Sequence, residues 1–424
     1  MIKRLLHRLV WQSLPQPWRR GSLFAVTRLL AASPDRNPPS MRKDSPIWVA
    51  GFLRSATGLG EGARLCFDSL EAAGLDVRPI DLSAAMMQDT DYMAWTHPSA
   101  PAVGEGLLIL HVNAPLVPLA LLRLGRAVVR GKRIAGVWAW ELPDLPADWR
   151  WGLDRVHEAW PMSGFVAEAI QRKAPDLPIR IMPYPVPNAS PPTVVSEPAA
   201  VEPAVVEGLD EFHVLIMFNM ASSFARKNPL AGIEAFLRAF GDDPACRLTI
   251  KVSNADVYPE GLRALRASVR SENIRLITGL LPRPAVNALV ARADALLSLH
   301  RSEGFGLPLA EAMRAGKVVV ATDWSGNTDF LDEENSCPIP YTFVPACDPQ
   351  NVYNYPSQHW AEPDVDVAAA ALRRLRAEPG LRARLGAQAR IDAERLFSTR
   401  RYADLVIGAL SDGETVDVQP TAIP

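Results

Sequence analysis

The chain has 424 residues, of which 48% are hydrophobic and 22% charged, and its formal net charge is -2. That length exceeds what a single core ordinarily organises and predicts two domains, and the near-neutral balance excludes a global attraction for nucleic acid. Cys66, Cys246, Cys337 and Cys347 are scattered without a CxxC, which argues against a zinc site or a disulfide framework and fits a reducing cytoplasm.

Residues 1–44 form a basic arm. Lys3, Arg4, Arg8, Arg19, Arg20 and Arg28 precede the first acid, Asp35, and Trp11, Trp18 and Phe24 lie between them. No apolar run there is long enough to span a bilayer, and no signal-peptide core is followed by a small-residue cleavage site. Two readings stay open for residues 1–40: an interfacial anchor on the inner face of the membrane, or a helical arm packed on the protein's own surface.

From 45 to 187 short apolar runs alternate with helical patterns. "IWVAGF", "LLILHV", "RIAGVWAW" and "IRIMPY" read as buried strands, with helices in "GEGARLCFDSLEAAG", "APLVPLALLRLGRAVV" and "GFVAEAIQRKAP". Such alternation predicts a parallel, doubly wound sheet. Residues 188–211, rich in proline and small residues, read as a linker. The alternation restarts over 212–395 with "FHVLIMF", "RLTIKV", "IRLI", "DALLSL" and "VVVAT", separated by "PLAGIEAFLRAF", "EGLRALRASVR" and "PAVNALVARA". Residues 396–424 complete the chain as a helix and tail. Two α/β domains, each Rossmann-like, are therefore expected to face one another across a cleft at the carboxyl ends of their strands.

In "HRSEGFGLPLAEAMRAGK", residues 300–317, a strand ends, the chain turns, and a helix starts near Pro308 and stops at Gly316. Glu303 is placed at the strand end and Glu311 in the first turn of the helix. Gly304 and Gly306 permit close approach to a ligand, and the N–H groups of Phe305, Gly306 and Leu307 suit phosphate. A carboxylate beside a phosphate would repel it, so the glutamates are better aimed at hydroxyls on either side. A ligand with phosphates in the middle and a sugar at each end is a nucleotide sugar.

"EGFGLPLAE", followed by "AMRAGKVVVATDWSGNTDFL", resembles the Glu-x7-Glu signature of family 4 retaining glycosyltransferases, strongly over 212–332 and more loosely from 46 to 410. The resemblance implies the GT-B fold, with an acceptor domain followed by a donor domain. It implies a donor that is a GDP- or UDP-linked sugar, a glycan or lipid-linked acceptor in polysaccharide synthesis, and no metal or other cofactor. Glu303 would contact the donor sugar and Glu311 the ribose hydroxyls. Charge growing on the leaving nucleotide calls for cations, and "FNMASSFARKNP" supplies Arg226 and Lys227, the latter one of only seven lysines among 45 basic residues. The family's arginine five or six residues before the lysine is absent, since Ala221 and Ser222 stand there, and Arg226 is taken to replace it.

In the first domain, Gly58 and Gly60 in "GFLRSATGLGEGARL" would let that loop approach the diphosphate or the acceptor. Where many family members carry a histidine, this chain has Trp140 and Glu141. The polar group on the far side of the sugar is thereby left open between Glu141 and His111. The tryptophans at 138, 140, 149, 151 and 160 read as core rather than as sugar platforms, and "DTD" at 89–91 as a chance match to a metal motif. Two rivals remain: a nucleotide-sugar-binding scaffold without catalysis, and a dehydrogenase, which the lack of GxGxxG spacing disfavours.

Overall fold

A computed structural model describes Thr27, residues 29–187 apart from 38, 89, 91–94 and 100–102, and residues 211–411. The basic segment 1–26, nearly all of the expected linker, most of "DTD" and the tail from 412 lie outside the described residues.

The first domain is built on β1 (Ile47–Gly51), β2 (Val77–Asp81), β3 (Gly106–His111), β4 (Lys132–Gly136) and β5 (Glu158–Ala159). They form one parallel sheet in the order β2-β1-β3-β4-β5. Helices on both faces bury β1 and β3 throughout, which is why these strands read as unbroken apolar runs. Edge strand β2, "VRPID", went unread because Pro79 and its charges mask it. "IRIMPY" is not a strand. It makes one isolated bridge, Ile179 with Ala159, in a segment where Pro178, Pro183 and Pro185 remove ladder donors.

The helices of this half are α1 (Gly58–Ala72), α2 (Val117–Leu124) and α3 (Gly164–Lys173). The long pattern over 114–129 does not form one helix: Gly125, at φ 79°, ends α2 and a separate turn follows at Arg126–Val129.

The second domain has β6 (Phe212–Asn219), β7 (Cys246–Ser253), β8 (Ile274–Thr278), β9 (Ala295–Ser298), β10 (Val318–Thr322) and β11 (Ser336–Ile339), again parallel, in the order β11-β10-β9-β6-β7-β8. An antiparallel pair, β12 (Tyr341–Pro345) with β13 (His359–Pro363), is added. Helices α4 (Pro229–Phe240), α5 (Pro259–Ser268), α6 (Arg283–Arg292) and α7 (Leu307–Arg314) connect the strands, and α8 (Val365–Ala377), α9 (Pro379–Phe397) and α10 (Thr399–Leu410) close the chain. Helix α10 returns to the first domain, where Tyr402, Val406 and Leu410 join Phe67 and Leu70 in one core.

Strand order reverses between β1 and β3 in one sheet and between β6 and β9 in the other. Open sheets bind ligands at such switch points. The loops after these four strands face each other across the interdomain cleft. Part of the basic arm is anchored at the amino end of β4, away from the cleft: Ala31, Ala32 and Met41 are buried, and the Asp35 carboxylate accepts the Gly131 N–H at 2.9 Å.

Candidate functional site

After β6 the chain enters a short turn, Phe224–Lys227, fixed by Ser223. That serine is fully buried at φ 66°, accepts the Arg226 N–H and donates to Asp348 at 2.9 Å. The turn delivers Arg226 and Lys227 side by side. Arg226 is 2% exposed, donates to the carbonyls of Ser302 (2.6 Å) and Ser222 (2.9 Å), and lies 3.2 Å from a Glu303 oxygen and 3.8 Å from Glu141. Lys227 pairs with the other Glu303 oxygen.

Glu303 is held through its backbone: its N–H donates to Ser325 Oγ at 2.7 Å and its carbonyl accepts from Gly326 at 2.9 Å. Buried His300, two residues past β9, is fixed by Ser298 and by Asn327. The SGN loop after β10 is thus a cradle for the glutamate's strand end. Gly304 runs against the first domain, where a Cβ would sit 3.0 Å from the Trp140 carbonyl, and Ser163 Oγ donates to its carbonyl at 2.6 Å. Gly306, at φ 95°, turns the chain into α7. Leu307 opens the helix and Pro308 follows it, so Glu311 lies one turn into α7 rather than within the first turn.

A second charge cluster lies at the Glu311 end. Arg283, the first residue of α6, donates to Glu311 at 2.6 Å and pairs with Glu61 of α1 in the opposite domain. Glu61 is also gripped by Arg64, at 2.6 and 3.1 Å, and Arg64 donates to the carbonyls of Leu53 and Ser55 at 2.9 Å each.

Burial alone would raise the Glu303 carboxyl, yet Lys227 and Arg226 hold it down at about 2. Lys227 is pushed below the usual lysine range by burial and by Arg226, against the attraction of Glu303. The two partners point opposite ways, so the pair is worth less than the Glu303 shift alone suggests. Burial raises Glu311, with Arg283 opposing, whereas Glu61 lies below the usual range because Arg283 and Arg64 outweigh its burial.

These groups line a cleft of about 580 Å³ between the domains. It gathers Glu303, Lys227, Arg226, Glu141, Glu311, Gly304, Phe305, Gly306, Leu307 and Gly58. His111 and Gly60 are not on its wall. His111 is fully buried behind Tyr184, its ring stacked on that tyrosine at 6.5 Å, and burial pushes it down to about 3, so it is neutral. Gly60 is a packing glycine: a Cβ there would meet the carbonyls of Phe52 and Ser55 at 2.6 Å.

Sequence reasoning missed Tyr353, Arg283, Glu61 and Lys251, all on the cleft. Tyr353 donates to Glu141 at 2.8 Å and its ring lies 5.3 Å from the Arg226 guanidinium. It arrives on an irregular loop organised by buried Asp348, which accepts N–H bonds from Gln350, Val352 and Tyr353. No periodicity marks such a loop. Arg283 did leave a signal, because an arginine at the first position of a helix opposes the macrodipole and needs a carboxylate partner. Trp138, Trp140, Trp149 and Trp160 are buried, as core residues should be, whereas Trp151 is only half-buried. Among the described residues, no three His, Cys, Asp or Glu side chains are placed to share a metal ion, and no helix is long and apolar enough to cross a membrane.

Residues 217–351 match the family model described as Glycosyl transferases group 1. That stretch, about a third of the chain, is thus similar to group 1 glycosyl transferases. No curated protein sequence matches it. Among solved structures, a glycosyltransferase from Rickettsia africae ESF-5 is 12% identical with a TM-score of 0.58, covering 87% of this chain and 98% of that one. Anabaena HepE, solved with UDP and glucose, is 11% identical with a TM-score of 0.57, covering 87% and 100%. An S. aureus TarM variant, solved with UDP and glycan ligands, is 15% identical with a TM-score of 0.52, covering 72% of this chain but only 55% of TarM. The chain spans little more than half the length of TarM. Two facing Rossmann-like domains, shared with these glycosyltransferases, make the fold GT-B.

Proposed function

We propose that the protein transfers a sugar from a nucleoside diphosphate sugar, UDP-linked in the first instance, to a glycan or lipid-linked acceptor, with retention of anomeric configuration. The observation that carries this reading is the placement of Arg226 and Lys227 against Glu303 at one end of the cleft and of Glu311 at the other, with the glycine turn and the α7 start between them. The diphosphate lies along the N–H groups around Phe305, Gly306 and Leu307. Glu303 faces the sugar and Glu311 accepts from the ribose hydroxyls. The UDP bound by HepE and TarM supports a uridine donor, and a guanosine donor is the alternative to test.

In the reaction the bond from the sugar's anomeric carbon to the phosphate oxygen breaks, and the acceptor oxygen bonds to the same face of that carbon. The acceptor proton passes to the departing phosphate. Lys227 and Arg226 stabilise the charge that grows on the leaving group, which gives them more to do in the transition state than in the ground state. A bound diphosphate competes with Glu303 for these cations, so the carboxylate is freed toward the sugar as the donor settles. Glu141, clamped by Tyr353, supplies the polar group beyond the sugar that His111, buried out of reach, does not. Residues 1–26 anchor the enzyme at the cytoplasmic membrane face, next to a lipid-linked acceptor.

The test is a panel of UDP- and GDP-sugars, scored for slow donor hydrolysis and for thermal stabilisation by the free diphosphates with and without chelator. Stabilisation by UDP with turnover of one UDP-sugar is expected. Stabilisation without turnover on any acceptor favours the non-catalytic scaffold, and no stabilisation by any nucleoside diphosphate ends the reading.

A further inference from the structure

We propose that Arg283 is a positioning residue for the ribose-binding carboxylate and that Glu61 makes it a link between the domains, so that the grip on the nucleotide depends on closure of the cleft. The inference rests on the donor reading above. Arg283 occupies one oxygen of Glu311 at 2.6 Å and pairs with Glu61 from the facing domain. It therefore fixes the rotamer of Glu311 and presents the second oxygen to a hydroxyl donor. Glu61 is not a mobile surface acid. Arg64 binds it through two nitrogens and is itself tied to the carbonyls of the glycine-rich turn after β1. A movement of that turn is thus transmitted through Glu61 and Arg283 to Glu311.

Among the described residues, the charged groups acting on Glu311 are Arg283 from α6, Glu61 from α1 and Lys251 from β7. Burial raises the Glu311 carboxyl, and the arginine is the first of the groups opposing it. A ribose grip needs the ionised form, which accepts hydrogen bonds only. Removing Arg283 raises Glu311 further, so nucleotide affinity should fall on acidification at a higher pH than in the wild type. Removing the Glu61 charge acts the other way on Glu311 while cutting the link between the domains.

The experiment measures UDP binding by calorimetry between pH 5 and 8.5, initial rates with the accepted UDP-sugar, and the radius of gyration by X-ray scattering. Arg283→Ala should weaken UDP about tenfold at pH 7, as expected when one partner of a partly buried pair is removed, and raise KM with kcat changed less than about threefold. Its acidic limb should move up in pH. Arg283→Lys should recover part of the affinity and stands in if the alanine variant is unfolded by circular dichroism. Glu61→Gln should shift the acidic limb down and enlarge the nucleotide-free protein. Unchanged UDP affinity and pH profile in folded Arg283 variants, with wild type binding UDP, overturns the proposal and leaves the donor reading intact. An unchanged radius of gyration in Glu61→Gln overturns the interdomain link. If wild type binds no nucleoside diphosphate, the donor reading falls and takes this inference with it.

Discussion

Replacing Glu303 by glutamine keeps the shape and removes one charge from a cluster of four. The carboxyl is displaced from 4.5 to about 2 in the folded protein, and it is 7% exposed. At 1.36 kcal/mol for each pH unit, that displacement bounds the stabilisation at about 3 kcal/mol. Lys227 offsets part of it, since its own pKa is pushed below the usual range. A net loss of about 1 to 3 kcal/mol follows, equivalent to a fall in melting temperature of roughly 2 to 12 °C for domains of this size. The sign with pH is fixed: a depressed carboxyl contributes fully above its unfolded pKa and loses that contribution as pH falls toward 2, so the gap between variant and wild type narrows on acidification. For catalysis, loss of a charge facing the developing positive sugar should lower kcat about 100-fold by analogy with a deleted transition-state contact. UDP affinity should hold or tighten, because Lys227 and Arg226 no longer serve a carboxylate. Melting scans over pH, calorimetry with UDP and saturating-donor rates check each part. A variant with wild-type kcat and abolished UDP binding would reverse the placement of sugar and ribose.

Lys227→Ala removes a cation that the diphosphate meets in both ground and transition states, so KM should rise and kcat fall, by about 2 to 4 kcal/mol in kcat/KM. Glu311→Ala should raise donor KM with kcat nearly unchanged, as uniform binding requires; a selective loss of kcat would refute the ribose role. His111→Leu should keep kcat within about threefold, since neither imidazole nitrogen has a hydrogen-bond partner among the described residues and apolar replacement of such a group is tolerated; loss of turnover in a folded variant would return His111 to the chemistry. Deleting residues 1–26 leaves the packed 31–41 segment in place and should yield a folded protein that sediments poorly with anionic liposomes. Retained sedimentation would locate membrane binding elsewhere.

The local pattern determined the α/β class, most strands of both sheets and α4 to its end residues, because strands buried on both faces and amphipathic helices write their periods directly into the chain. It also determined the glycine turn with Glu303 and Glu311, where residue types and spacing are fixed by backbone geometry. Only the tertiary structure decided which side chains meet. Tyr353 reaches Glu141 from a loop 212 positions away, and Arg283 bridges Glu61 and Glu311 across two domains. His111 and Glu141 were indistinguishable as polar residues at strand ends until folding placed Tyr184 over the first and left the second on the cleft wall. Burial and charge pairing arise from contacts distant in sequence, and no local period encodes them.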